Sequence, residues 1–240
     1  MLSPFVYKNL NPVFAKKMKF VVKRRSESLQ WQRQRLLEKF PELAIVDIGA
    51  NVGQFVTEVR SYGYKGLIYS IEPFSSSYSK LEILRAKDKY LKTYRRLILE
   101  ENGRQNIYGF SRSDLNSILL PSQNDMFEVG ESIEEEIVTS QTLDDFLDRE
   151  VRDGEVFVKI DTQGSELKVL SGLKANLHLV RAIQVETSIK PIYENAATLN
   201  LTLEWILDNG FQTISIATER FDELSCLAYD IDILAVQTTI

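Results

Sequence analysis

The chain has 240 residues, 44% of them hydrophobic, enough for one large α/β domain with a sizeable core. Its one cysteine, Cys226, excludes an intrachain disulfide and a cysteine-rich zinc site, and fits a reducing compartment. The net charge of −5 divides into +8 over residues 1–40 and −13 over the remainder, so an acidic main body argues against a nucleic-acid groove. No apolar run approaches the roughly 20 residues that span a bilayer, and no signal-peptide pattern is evident. A soluble, cytoplasmic protein is expected.

Residues 5–23 mix Phe5, Leu10, Phe14, Met18 and Val22 with five lysines, an amphipathic helical pattern broken at Pro12. A second helix is expected over 28–39. The division is then a basic helical extension, 1–40, and a main domain, 41–240. The apolar residues of the extension need burial in the domain, in a second subunit of a homo-oligomer, or in a lipid headgroup layer. A cap over the ligand side is the first expectation and a peripheral membrane contact the second.

The stretch Ala44–Phe55 reads as a buried strand, a glycine turn and a helix start. Strands are expected over 43–48, 67–72, 93–99, 105–110, 135–139, 155–161, 181–187, 211–217 and 229–237. Helices are expected over 53–62, 75–86, 142–149, 165–177 and 196–209. Such alternation predicts a mostly parallel, doubly wound sheet with helices on both faces. Residues 218–228 carry no helical pattern and could return the chain as an antiparallel edge pair. The segment 111–134 is long and polar, which suggests a functional loop.

The glycine turn carries Gly49 and Gly53 with Asp47 just before it, and Glu72 closes the second strand. A strand, glycine turn, helix, strand and acid in this order grip a nucleoside, the acid accepting from ribose hydroxyls. A carboxylate beside the turn would repel a pyrophosphate and suit a sulfonium, so S-adenosylmethionine is preferred to a dinucleotide. An ordinary βα turn is the bland alternative. Val156–Glu166 repeats the arrangement: a strand delivers Asp161, a Gly turn follows, and Glu166 sits in the next helix's first turn. The following strand brings Glu186 to the same rim, where carboxylates need compensation from Lys159, Lys190 or a cationic ligand. Glu166 could equally serve its own helix N-terminus. His178, the single histidine, falls at the opposite pole. A base would therefore be a carboxylate, Asp161 first and Glu186 second, with Mg²⁺ on the rim carboxylates an open alternative. Acceptor recognition is expected from loop 111–134, Tyr193 and the N-terminal helices.

The segments VDIGANVGQF, IEPF, SDLNSILLP, TLDDF, VKIDTQGSELKVLSGL and QVETSIKPIYE, in this order, resemble the FkbM family of S-adenosylmethionine-dependent methyltransferases. The resemblance covers roughly residues 43–238. It implies a class I methyltransferase (Rossmann-like) fold: a seven-stranded sheet of order 3-2-1-4-5-7-6 with strand 7 antiparallel. It also implies O-methylation of a hydroxyl on a sugar, glycan or secondary metabolite. Asp47, Gly49, Asn51 and Gly53 match the cofactor turn and Glu72 the ribose acid. Asp161, Glu166 and Glu186 match the acids of the later segments. Gln163 stands where many members carry Glu. The other classes the turn admits are a nucleotide-dependent oxidoreductase and a non-catalytic nucleotide-binding protein.

Overall fold

The computed structural model describes residues 28–110, 113–121, 134–152, 154–222 and 226–238. The expected helical pattern over 5–23 and most of loop 111–134 lie outside them.

Helix α1 (Leu29–Lys39) starts on Ser28, whose Oγ accepts from Trp31 N at 3.2 Å. In chain order follow β1 (Ala44–Ile48), α2 (Gln54–Ser61), β2 (Ile68–Ile71), α3 (Ser75–Arg85), β3 (Leu91–Tyr94), β4 (Leu97–Ile98), β5 (Gly103–Gly109) and β6 (Glu134–Gln141). Then come α4 (Leu143–Phe146), widened into a π turn over Leu147–Val151, β7 (Val156–Ile160), α5 (Glu166–Ser171), β8 (Val180–Ser188), α6 (Leu199–Asp208), β9 (Phe211–Asp222) and β10 (Leu227–Gln237).

Seven strands form the main sheet in the order β3-β2-β1-β7-β8-β10-β9. Only β10 runs against its neighbours. Numbering the main-sheet strands alone gives 3-2-1-4-5-7-6, the expected order, with the C-terminal pair antiparallel. The chain reverses after β1 toward β2 on one side and β7 on the other, and this switch point is where such sheets bind ligands.

The two faces differ in a way that prepares a site. One face is apolar along each strand: Val46 and Ile48, Val158 and Ile160, Ile183 and Val185, Ile231 and Ile233. Leu143, Phe146, Leu170, Leu173 and Ile206 cover it. The other face begins apolar, with Ile45, Ile68, Phe157, Ala182 and Leu234 under Leu29, Leu36, Leu37, Phe55 and Val56. Toward the carboxyl ends it turns polar. Asp47 is level with Ser70 and Lys159, Lys159 with Gln184, and Glu186 with Asp232. Side chains two apart share a face, so each parallel strand changes character within one period. Helix α1, part of the basic extension in sequence, thus packs its leucines into the core.

Three expectations shift. The expected strand 93–99 splits at Arg95–Arg96, because β3 belongs to the main sheet and β4 to a second sheet of order β4-β6-β5. The expected helix 165–177 stops at Ser171. Beyond it the N–H groups of Lys174, Ala175 and Asn176 all donate to the Asp144 carboxylate at 2.9 Å, which takes donors a continued helix would need. The expected helix 196–209 begins only at Leu199, after the cap residue Thr198.

Gly172, at the end of α5, packs against the backbone of Leu99 and Leu143. A Cβ there would lie 2.3 Å from the Leu99 carbonyl oxygen and 3.3 Å from Leu143 N. Gly172→Ala is therefore expected to lower stability by about 1–3 kcal/mol, the usual cost of overpacking. Urea unfolding measures it, and an unchanged midpoint would mean the contact relaxes freely.

Candidate active site

A cleft of about 650 Å³ opens at the carboxyl ends of the main-sheet strands. Gly49, Asn51, Glu72, Asp161 and Glu186 all line it, so five residues expected from sequence meet in one place. Asp47 and Gly53 do not line it. Asp47 is fully buried beneath Lys159, and Gly53 ends the turn at the start of α2.

The turn is shaped by close approach. Gly49 has φ +80°, and a Cβ on it would fall 1.8 Å from the Asp161 carbonyl oxygen, so any side chain would separate β1 from β7. Asn51 is left-handed at φ 47°. Its N–H donates to Glu72 Oε2 at 2.8 Å and its Oδ1 accepts from Ser77 Oγ at 2.9 Å. Glu72 Oε1 accepts from Phe74 N at 2.9 Å. Both Glu72 oxygens are thus aimed by backbone. Burial pushes its carboxyl up to about 7 despite these donors.

Lys159 organises the next part. Its Nζ lies 2.8 Å from Asp161 Oδ2 and 4.0 Å from Asp47 Oδ1. Burial disfavours the ammonium, but Asp161 and Asp47 outweigh it and hold the lysine above its ordinary range. Asp161 also accepts from Gln163 Nε2 at 3.0 Å, and Glu186 donates to it. Burial would raise Asp161; Lys159 and these donors hold it below the usual carboxylate range. Glu186 goes the other way: burial and the Asp161 charge push it up to about 10. At neutral pH one rim carboxyl is therefore ionised and its neighbour protonated. Asp47 rises to about 6, chiefly from burial, with Lys159 opposing.

The far half of the cleft holds groups with no obvious motif. Gln184 donates to Asp232 Oδ2 at 2.9 Å and accepts from Arg33 Nη1 at 2.9 Å. Arg220 pairs with Asp230 at 2.5 Å. The alternation Asp230-Ile231-Asp232-Ile233 could have revealed the two aspartates as a polar strand end; nothing local in α1 marks Arg33. Residues Ser113–Ile118 wall the opening. Ser117 Oγ donates to the Gln163 carbonyl at 2.8 Å, and the Tyr193 hydroxyl donates to the Leu115 carbonyl at 2.6 Å. Tyr193, expected at the acceptor, is buried and instead anchors this wall. Lys190 lies over the Tyr229 ring, away from the rim acids. His178 is exposed at the opposite pole, its Nδ1 3.0 Å from the Ala175 carbonyl. Among the described residues no cluster of three or more His, Cys, Asp or Glu side chains is arranged to hold a metal. Among them, too, no helix is long and apolar enough to cross a membrane.

Glu166 closes the second turn from below. Its Oε1 accepts from Thr162 N, Thr162 Oγ1 and Gly164 N at 3.0, 3.1 and 2.9 Å. Burial nevertheless raises its carboxyl from 4.5 to about 7. Since the folded value is raised, its contribution to stability is complete below about 4.5 and is lost as pH climbs through about 7. Glu166→Gln keeps the accepting oxygen and removes the titration. The variant's thermal midpoint relative to wild type should improve from pH 5 to pH 8; a relative loss at pH 8 would contradict this assignment.

The comparisons with known proteins agree with this geometry. The family model described as Methyltransferase FkbM domain matches residues 47–213. The solved FkbM methyltransferase from Methylobacillus flagellatus KT is 15% identical, with 80% of this chain and 44% of that chain covered at a TM-score of 0.50. This chain therefore spans under half the length of that protein, and the likeness is one of fold. Magnesium protoporphyrin IX methyltransferase from Synechocystis PCC 6803, solved with bound SAM, is 11% identical over 99% of both chains at a TM-score of 0.47. No curated protein matches. With the family model covering well over half of its length, the chain belongs to the FkbM family of S-adenosylmethionine-dependent methyltransferases.

Proposed function

We propose that the cleft binds S-adenosylmethionine and that the acceptor is a hydroxyl oxygen on a sugar, glycan or other small metabolite. The observation that carries this reading is the placement of Glu72 and Asp161, at the ends of β2 and β7, on either side of the bare Gly49 turn in one cleft. The residues suit the group. The backbone is open at Gly49, Glu72 offers oxygens to a ribose, and the walls are acidic. With Glu186 holding its proton, Glu58, Glu72, Asp161, Glu219, Asp230 and Asp232 still outnumber Arg33, Arg96, Lys159 and Arg220. That balance favours a cationic sulfonium over a pyrophosphate, which counts against the oxidoreductase reading.

When bound, the cofactor supplies an electrophilic methyl group for in-line displacement. The chain's part is alignment and the hydroxyl proton. Asp161 is the ionised carboxylate on the rim and the best acceptor for that proton. Its depressed basicity makes it a weak base, so holding the oxygen in line carries more of the rate. Glu186 keeps its own proton at neutral pH and serves as a donor that fixes Asp161. Asp47 acts through Lys159, and Gly53 through the shape of the turn. The cap role of residues 1–27 stays a proposal about a segment outside the described residues.

Incubation of extracts with isotope-labelled S-adenosylmethionine, followed by mass spectrometry of small molecules, identifies the acceptor. Label on nitrogen or carbon in place of oxygen would replace the O-methylation reading. Asp161→Asn should fold and lose about 10²–10⁴-fold in turnover, the usual worth of a positioned base. Turnover near wild type removes Asp161 from the mechanism, and activity lost with EDTA and restored by Mg²⁺ makes it a metal ligand instead. Glu72→Ala should weaken cofactor binding by about 1.5–3 kcal/mol, as for a hydrogen bond to a charged group. Calorimetry showing unchanged affinity would take Glu72 off the ribose.

A further inference from the structure

Arg33 comes from α1, before the matched segment 47–213, yet it is 3% exposed and lines the cleft. Its guanidinium carbon lies 4.7 Å over the Phe55 ring. Nη1 is committed to Gln184 at 2.9 Å. Nη2 faces Glu58 Oε2 at 2.8 Å but makes no aligned hydrogen bond, and the Glu58 side chain is one-third exposed. That tie is screened by solvent and is easily shared. Of the other cations along the cleft, Lys159 is paired with Asp161 and Arg220 with Asp230, and Arg96 is exposed at the β3–β4 junction, beside Leu97 at the other end of the cleft from Gln184.

Glu72 sets the ribose end over β2. Pro73, Phe74 and Leu97 would then receive the base, and the wall across β1 toward β7 would face the amino-acid arm. Neighbouring strands are ~4.8 Å apart, so β7 is about 10 Å from β2, and Arg33, though anchored on Gln184 of β8, lies over Phe55, which stacks on Phe157 of β7. The α-amino-acid arm brings a carboxylate, which a mostly acidic wall repels. A guanidinium offers the forked donors that a carboxylate matches. We propose that Arg33 binds the α-carboxylate of the methyl donor. This rests on the cleft being the S-adenosylmethionine site.

Calorimetric binding tests it without an acceptor. S-adenosylhomocysteine carries the amino-acid arm and 5′-methylthioadenosine lacks it. Arg33→Met should weaken the first on the order of tenfold to a hundredfold, the scale of one charge-assisted hydrogen bond. The second should be unchanged, which also shows the variant to be folded. Arg33→Lys, a cation without the fork, should fall between. Equal loss for both ligands, or no loss for either, overturns the proposal. Wild type binding neither ligand refutes the cofactor reading instead. Should Arg33→Met not fold, wild type alone still decides: equal affinity for S-adenosylmethionine and its decarboxylated form overturns the assignment.

Discussion

Lys159 carries an ammonium, 8% exposed, beside two carboxylates that could not otherwise coexist there. Asp47 is fully buried, and its Oδ1 has no hydrogen bond; the main charge that answers its own is this lysine 4.0 Å away. Removing one partner from such a group leaves an uncompensated buried charge, which costs far more than the pair itself contributes. The lysine also fixes which rim carboxyl is ionised. With Lys159 and Gln163 on its two oxygens, Asp161 is the cheapest place for a negative charge, and Glu186 keeps its proton. One cation two residues before Asp161 on the same strand thus sets the protonation pattern of the rim.

The sheet makes that arrangement affordable. Asp47, Lys159 and Gln184 stand level on three adjacent strands, with the ammonium 4.0 Å from Asp47 and Gln184 tied onward to Asp232 and Arg33. Ser70 extends the row to β2, its Oγ donating to Asp47 Oδ2 at 3.3 Å. Beneath the row, Ile45, Phe157 and Ala182 continue the core under Phe55, whose ring stacks parallel to Phe157 at 6.5 Å. The apolar floor excludes water from below, and the Gly49 turn brings backbone close from the side. Charges in such surroundings interact more strongly than at a surface.

Much of this was legible along the chain. The strands around Asp47, Asp161 and Glu186 read as apolar runs ending in acids, because a parallel strand buried on both faces turns polar only where it leaves the core. The glycine turn and Glu72 were legible from spacing. What sequence did not show is set by distant partners. The split at Arg95–Arg96 depends on β6 pairing with β4 from over 40 residues away. The end of α5 depends on Asp144 claiming three N–H groups. Arg33 joins the site only because α1 packs against β9 and β10, from where its side chain reaches Gln184, 151 residues later. Tyr193 was expected at the acceptor, and its burial depends on a residue 78 positions earlier. Its hydroxyl was already committed to Leu115.

The same commitment ties the cleft wall to the chemistry. Gln163 and Gly164 are both left-handed, at φ 52° and 103°. For glutamine this conformation costs on the order of 1–3 kcal/mol and persists only where surroundings impose it. Here it turns the Gln163 carbonyl to Ser117 and its side-chain amide to Asp161. Gly164 is packed between Leu119 and Ala196, where a Cβ would lie 3.0 and 2.9 Å from their side chains. The wall over Ser113–Ile118 and the carboxylate on the rim are therefore joined through one residue. A shift of the wall would move the donor that holds Asp161, and the two share one backbone conformation at Gln163.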